Sequence, residues 1–154
     1  MAEQANNTQQ SAPFEIKKIY LKDASLESPM SPVVFTQEYK PSINVEFDNQ
    51  CTKLDFDQNT YEVTVRITVT AKNEAENKVY FVSEVKYAGV FMINLEGDSF
   101  EQCSEAFCPG ILFPYASAQV CDLIVKGGFP PVNLPPVNFD ALLVQKKNSK
   151  QNNA

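Results

Sequence analysis

The residues that could do chemistry here are few. The chain has 154 residues and no histidine, so it lacks the usual general base at neutral pH, the Ser–His and Cys–His nucleophile pairs, and the commonest metal ligand. Four cysteines remain, Cys51, Cys103, Cys108 and Cys121. None of them forms the C-x-x-C pair that zinc sites share. Cys103 and Cys121 fall on apolar helical faces, where a thiol behaves as a small hydrophobe. No metal site is expected. Carboxylates pair at Asp55/Asp57, Glu74/Glu76 and Glu101/Glu105. They belong to a loop, a turn and a helix, where solvated charge is the ordinary role and acid–base catalysis the rare one. Gly127-Gly128 follows a helix and precedes Phe-Pro-Pro, whereas a phosphate loop precedes its helix. No catalytic constellation survives, and the chain reads as a non-enzyme.

What the elements position instead is apolar surface. In T-Y-E-V-T-V-R-I-T-V-T-A (Thr60–Ala71) the residues Tyr61, Val63, Val65, Ile67 and Val69 share one parity, and Thr, Glu and Arg the other. Side chains alternate across a pleated strand, so this is one oily face and one wet face, built from β-branched residues that favour extension. Phe14, Ile16, Ile19 and Leu21 predict an earlier strand whose parity slips between Ile16 and Ile19, as at a bulge. Ser-Pro-Met-Ser-Pro around Pro29 and Pro32 predicts a loop. Ile43, Val45 and Phe47 alternate with Asn44, Glu46 and Asp48 in another strand, and Asp48–Asn59 reads as a polar connection. Val79–Ile93 differs, because Tyr80, Val82, Val90 and Met92 make its second face apolar too. That face needs a cover: helices, another subunit or a ligand.

Helical patterns come late. Ser99 and Gln102 fit a capping box ahead of Phe100, Cys103 and Phe107. Pro109-Gly110 is expected to interrupt that helix, and Pro114 to open a second one carrying Ala116, Val120, Leu123 and Ile124. Gly127-Gly128 ends it with a left-handed cap. F-P-P-V-N-L-P-P (Phe129–Pro136) is a stiff connector, after which Asn138 caps a helix with Phe139, Leu142 and Leu143.

Length and composition set the frame. With 44% hydrophobic and 21% charged residues, 154 residues form one globular domain. Residues 1–12 and 148–154 are polar and expected to be disordered tails, leaving a domain over 13–147. A formal charge of −6 with Arg66 as the only arginine argues against nucleic acid, whose phosphates call for clustered basic residues. No stretch is read as long and apolar enough to cross a membrane, and the start lacks a basic and apolar leader. A cytoplasmic protein is expected, with its cysteines as thiols.

Two late motifs carry a resemblance. C-P-G-I-L-F-P-Y-A (Cys108–Ala116) and G-F-P-P-V-N-L-P-P-V-N-F-D-A-L (Gly128–Leu142) closely resemble the bacterial protein-export chaperone family SecB, as do Y-E-V-T-V-R-I-T-V-T-A and the P-x-V-F of Pro32–Phe35. The similarity spans about residues 14–144. It implies an α+β fold, a four-stranded antiparallel sheet with C-terminal helices packed on it, assembled as a homotetrameric dimer of dimers. It implies a chaperone that holds non-native preproteins without ATP or any cofactor and delivers them to the translocation ATPase SecA, without entering the membrane. Position by position, it implies that Tyr39, Ile43, Val45 and Phe47 line an apolar groove for unfolded chain, with Tyr115, Phe129 and Leu134 as further members. It places the SecA contact on Asp23, Glu27, Val82 and Glu84. The alternative is a SecB-like module dedicated to one partner, as in toxin–antitoxin systems. Many relatives end in an acidic tail; this chain carries Lys146, Lys147 and Lys150 there.

Overall fold

The computed structural model describes residues 12–55 and 57–152. Four strands, β1 (Phe14–Glu27), β2 (Ser42–Lys53), β3 (Thr60–Asn73) and β4 (Lys78–Ile93), form one antiparallel sheet in the order β1-β4-β3-β2. The alternating run is the interior strand β3. Its Val63, Val65, Ile67, Val69 and Ala71 are wholly buried on one face, each such side chain worth about 1.5–3 kcal/mol for a valine or isoleucine. On β4 the same face carries Phe81, Ser83, Val85, Gly89 and Phe91, which register opposite Ala71, Val69, Ile67, Val63 and Tyr61. Strand β1 shifts register between Ile16 and Lys18, where the parity slip lies, and again between Leu21 and Asp23.

Strand β2 runs to Lys53, well past the Asp48 at which a polar connection was expected. Gln50, Thr52 and Lys53 face solvent on this sheet edge, where no apolar alternation is needed to hold a ladder, and Cys51 alternates between them half-buried. The Pro29–Pro32 segment is a loop that ends in a 3₁₀ turn, Val33–Thr36.

The helices differ more from the expectation. A single helical run crosses the buried face: α1 (Gly97–Gln102), one π turn (Cys103–Phe107) and α2 (Cys108–Lys126). The capping box does not form. Glu96 occupies the cap position without a side-chain hydrogen bond, and Ser99 lies inside the first turn. Pro109-Gly110 does not interrupt the helix, because the preceding π turn widens the coil against which the proline ring would otherwise close. Pro114 sits inside α2 instead of opening it. The carbonyl it leaves unpaired belongs to Gly110, which is exposed to solvent. Gly97–Lys126 is thus a continuous 30-residue helix, and an 18-residue window within it reaches a mean hydropathy of 1.3. By length and composition alone that could cross a membrane, contrary to the sequence expectation; its buried residues, from Cys103 to Ile124, pack in the core with the sheet.

The end of α2 is as read. Gly128 adopts φ +91°, and the Phe129 amide returns to the Ile124 carbonyl at 3.2 Å, a left-handed close that a side chain would strain. Asn138 Oδ1 accepts from the Ala141 amide at 3.0 Å and starts α3 (Phe139–Asn152). That helix continues past Asn148, where polarity alone suggested that order would end. Phe139 and Leu143 anchor it, and Lys146–Glu105 (3.5 Å) and Lys147–Glu101 (3.3 Å) tie it to the α1 and π-turn segment. The expected N-terminal tail lies outside the described residues except for Ala12.

Candidate functional site

Burial falls away sharply from β3 to β2 on the helix-side face. Ile43, Val45 and Phe47 register opposite Ala71, Val69 and Ile67, which are fully buried, yet Ile43 stays 39% and Phe47 36% exposed; Val45 is half-buried. Helix α2 packs over β3 and β4 and leaves the edge strand partly open. The open strip from Ile43 to Phe47 is about 13 Å long at the usual strand rise.

Aromatic clusters close both ends of this strip. At one end Phe129, just past the Gly128 cap, is buried among Phe81 (centroids 4.7 Å), Phe35 (5.5 Å) and Tyr39 (6.0 Å). Tyr39 also packs on Tyr80 at 4.9 Å. At the other end Phe113 of α2 meets Phe47 at 5.8 Å and Phe139 of α3 at 5.9 Å. The connector joins the two clusters by running back along α2. Its Val132 carbonyl accepts from the Cys121 thiol at 3.1 Å, and Leu134 is half-buried against the core.

The structure therefore gathers Tyr39, Ile43, Val45, Phe47, Phe129 and Leu134 around one trough. Tyr115 is placed elsewhere. It is 48% exposed and stacks on Tyr87 at 5.5 Å, a β4 residue whose outer neighbour is Leu21 of β1, on the flank of α2 away from Phe113. Phe35, Phe113 and Phe139 belong to the trough but were not named as groove residues from the sequence, where Phe139 entered only as part of a helix stripe. All three lie within the quoted family motifs, which was the available signal. Gly128 explains the placement of Phe35, because a Cβ there would come within 3.0 Å of its ring. Two open cavities, of about 680 Å³ and 620 Å³, flank the start of α3; neither is lined by an expected groove residue.

Asp23, Glu27, Val82 and Glu84 all lie on the opposite face of the sheet. Asp23 pairs with Lys86, and Glu27 with Val82, across the β1–β4 ladder. Glu84 is half-buried and accepts from Thr68 Oγ1 at 3.1 Å. The same face carries a network not foreseen in the sequence. Glu62 accepts from the Tyr20 hydroxyl and, at 2.5 Å, from Lys22 Nζ. Partial burial alone would raise the Glu62 pKa, but hydrogen bonds from Lys22 and Tyr20 and the charges of Lys22 and Lys86 bring it below the ordinary value. Burial, then the hydrogen bond and charge of Glu62, push Tyr20 up to about 12.

Among the described residues no group of three or more His, Cys, Asp or Glu side chains is placed to hold a metal, and the four cysteines are free thiols. Burial first, then Glu105 and Cys103, raise Cys51 to about 11. What the trough offers is open apolar surface, suited to non-directional contact.

Comparison with known proteins gives the family. The family model described as preprotein translocase subunit SecB matches residues 7–150. A protein-export protein SecB of Alcanivorax borkumensis is 44% identical over 142 residues, covering 92% of this chain and 90% of the relative. Its counterpart in Pseudomonas aeruginosa is 45% identical over 150 residues, covering 95% and 90%. The chain belongs to the SecB family of protein-export chaperones. Its fold also matches a SecB-like chaperone of Mycobacterium tuberculosis, solved in complex with an antitoxin peptide. The TM-score is 0.64 at 18% identity, with 81% of this chain and 91% of the other covered; at that identity the likeness is one of fold.

Proposed function

We propose that this chain holds non-native preproteins by laying extended segments along the trough between β2 and the connector, without nucleotide or cofactor. The observation that carries this is the strip Ile43, Val45 and Phe47, continuous with the core yet open, between two aromatic clusters. Apolar contact is non-directional, so such a surface grips many sequences, and several weak sites on one assembly add by avidity.

The working unit is a homotetramer, a dimer of dimers. What supports assembly is apolar surface that one protomer leaves open away from the trough: Ile16 and Leu21 on the β1 edge, Phe107 in the π turn, and Tyr115 and Val125 on α2, each more than 40% exposed. The face bearing Asp23, Glu27, Val82 and Glu84 presents carboxylates around the apolar Val82 to SecA. A basic partner segment suits it, although exposed ion pairs contribute only about 0–1 kcal/mol each.

Aggregation assays with several unrelated unfolded proteins test the reading. A holding chaperone suppresses aggregation of most of them, and sedimentation shows it co-migrating with a reduced, unfolded preprotein. Suppression confined to one partner would favour the dedicated, antitoxin-type module. For that alternative the structural likeness supplies only a shared fold.

A further inference from the structure

The helical run over the sheet changes its winding at one place, and two cysteines mark it. Across the π turn the Cys108 amide reaches back five residues to the Cys103 carbonyl. In a regular α-helix residues five apart are rotated by about 140° and their side chains diverge; a π turn brings them onto one face. Here the result is a thiol pair with Sγ atoms 4.0 Å apart. Cys108 is fully buried, whereas Cys103 is 7% exposed and lines the open cavity of about 620 Å³ beside Phe14, Leu95 and Phe107. Solvent-borne reagents therefore have a path to one thiol of the pair.

We propose that Cys103 and Cys108 are a reversible dithiol–disulfide couple, oxidised by low-molecular-weight disulfides that reach Cys103 through this cavity. The Cys103 thiolate attacks one sulfur of R–S–S–R. A mixed disulfide forms, and R–S⁻ leaves and takes up a proton. Cys108 then gives its proton to solvent and attacks Cys103 Sγ, closing the internal disulfide and expelling the second R–S⁻. Two protein thiols are oxidised and one small disulfide is reduced to two thiols, a balanced two-electron exchange. The sulfurs must approach from 4.0 Å to about 2.05 Å.

The order of attack follows from the pair's asymmetry. Burial raises the Cys103 thiol, and the hydrogen bond from Cys108 offsets part of the rise. Cys108 is raised by burial, by the charge of Cys103 and by that same bond. Cys103 is the attacking thiol and Cys108 the resolving one. Because both are raised, few thiolates form and exchange at the pair is slow.

The test is intact-mass and peptide-mapping analysis of the native full chain exposed to oxidised glutathione, with circular dichroism confirming that it stays folded. The wild type should lose two hydrogens, the bond should map to Cys103–Cys108, and dithiothreitol should restore the mass. A C51S/C121S variant should behave the same, and C108S, or C108A if serine is not tolerated, should stall with one glutathione on Cys103. A bond mapped to Cys51, a lasting glutathione adduct on the wild type, or reaction only after urea unfolding would each overturn the proposal.

Discussion

The ring of Phe47 lies 5.8 Å from that of Phe113, joining the edge strand to the covering helix, while about a third of Phe47 faces solvent. A residue held on one side and open on the other is suited to receive a passing apolar side chain without losing its own position. The triple change I43A/V45A/F47A should therefore weaken retention of an unfolded preprotein at least tenfold by calorimetry, since about 1.4 kcal/mol corresponds to that factor. The sedimenting species should stay the same size. Unchanged binding would remove the trough from the function.

Phe129 occupies the opposite situation. It is buried against Phe35, Tyr39 and Phe81, so Phe129→Ala should destabilise the fold by about 3–5 kcal/mol, the usual cost of emptying an aromatic site. Urea midpoints read this directly. Phe35→Ala, at a 51% exposed position, should cost much less stability while still lowering client affinity.

If the proposed SecA contact holds, Glu84→Lys should reduce affinity for a basic SecA segment and leave the sheet intact, because among the described residues its side-chain hydrogen bond is to Thr68 on the neighbouring strand. Thr68→Val removes that hydrogen bond without reversing the charge, and serves as the control. Equal affinities of wild type and Glu84→Lys in a peptide titration would move the contact elsewhere.

The Tyr20–Glu62–Lys22 network gives the stability curve a definite pH shape. Glu62 has a depressed folded pKa, so its contribution is present above the ordinary value of 4.5 and is lost as pH falls through the lower folded value. Tyr20 has a raised one, so the folded form's advantage is intact below pH 10 and declines as pH rises through about 12. Glu62→Gln should lower stability at neutral pH and flatten the acid limb. It should also move Tyr20 ionisation, followed by phenolate absorbance, back toward 10. An unmoved tyrosine titration would show that the pair is not coupled.

Local pattern carried the interior of the sheet. In β3 the parity of Val63 to Val69 coincides with burial residue by residue, because both neighbours and the helices above demand it. The polar end of β2 was invisible for the converse reason: Gln50 and Thr52 sit on a solvated edge, where backbone pairing to Thr64 and Glu62 suffices. Proline and glycine misled at Pro109-Gly110, since their effect on a helix depends on the coil before them. Helix α3 outlasts its polar sequence through Lys146 and Lys147, whose partners Glu105 and Glu101 lie some 40 residues earlier. The trough was half legible. Ile43, Val45 and Phe47 alternate as core residues do, and their openness depends on how far α2 reaches, which no local window contains.

The π turn at Cys103–Phe107 amounts to one surplus residue lodged in an otherwise regular coil. Removing a single residue there would let the coil close up while Leu112, Ala116 and Val120 keep their seats on the sheet. The same deletion a few positions later would swing each of those side chains about 100° around the axis and off the core. Length changes in this helix are thus permitted at one point, and that point is where its two adjoining thiols lie.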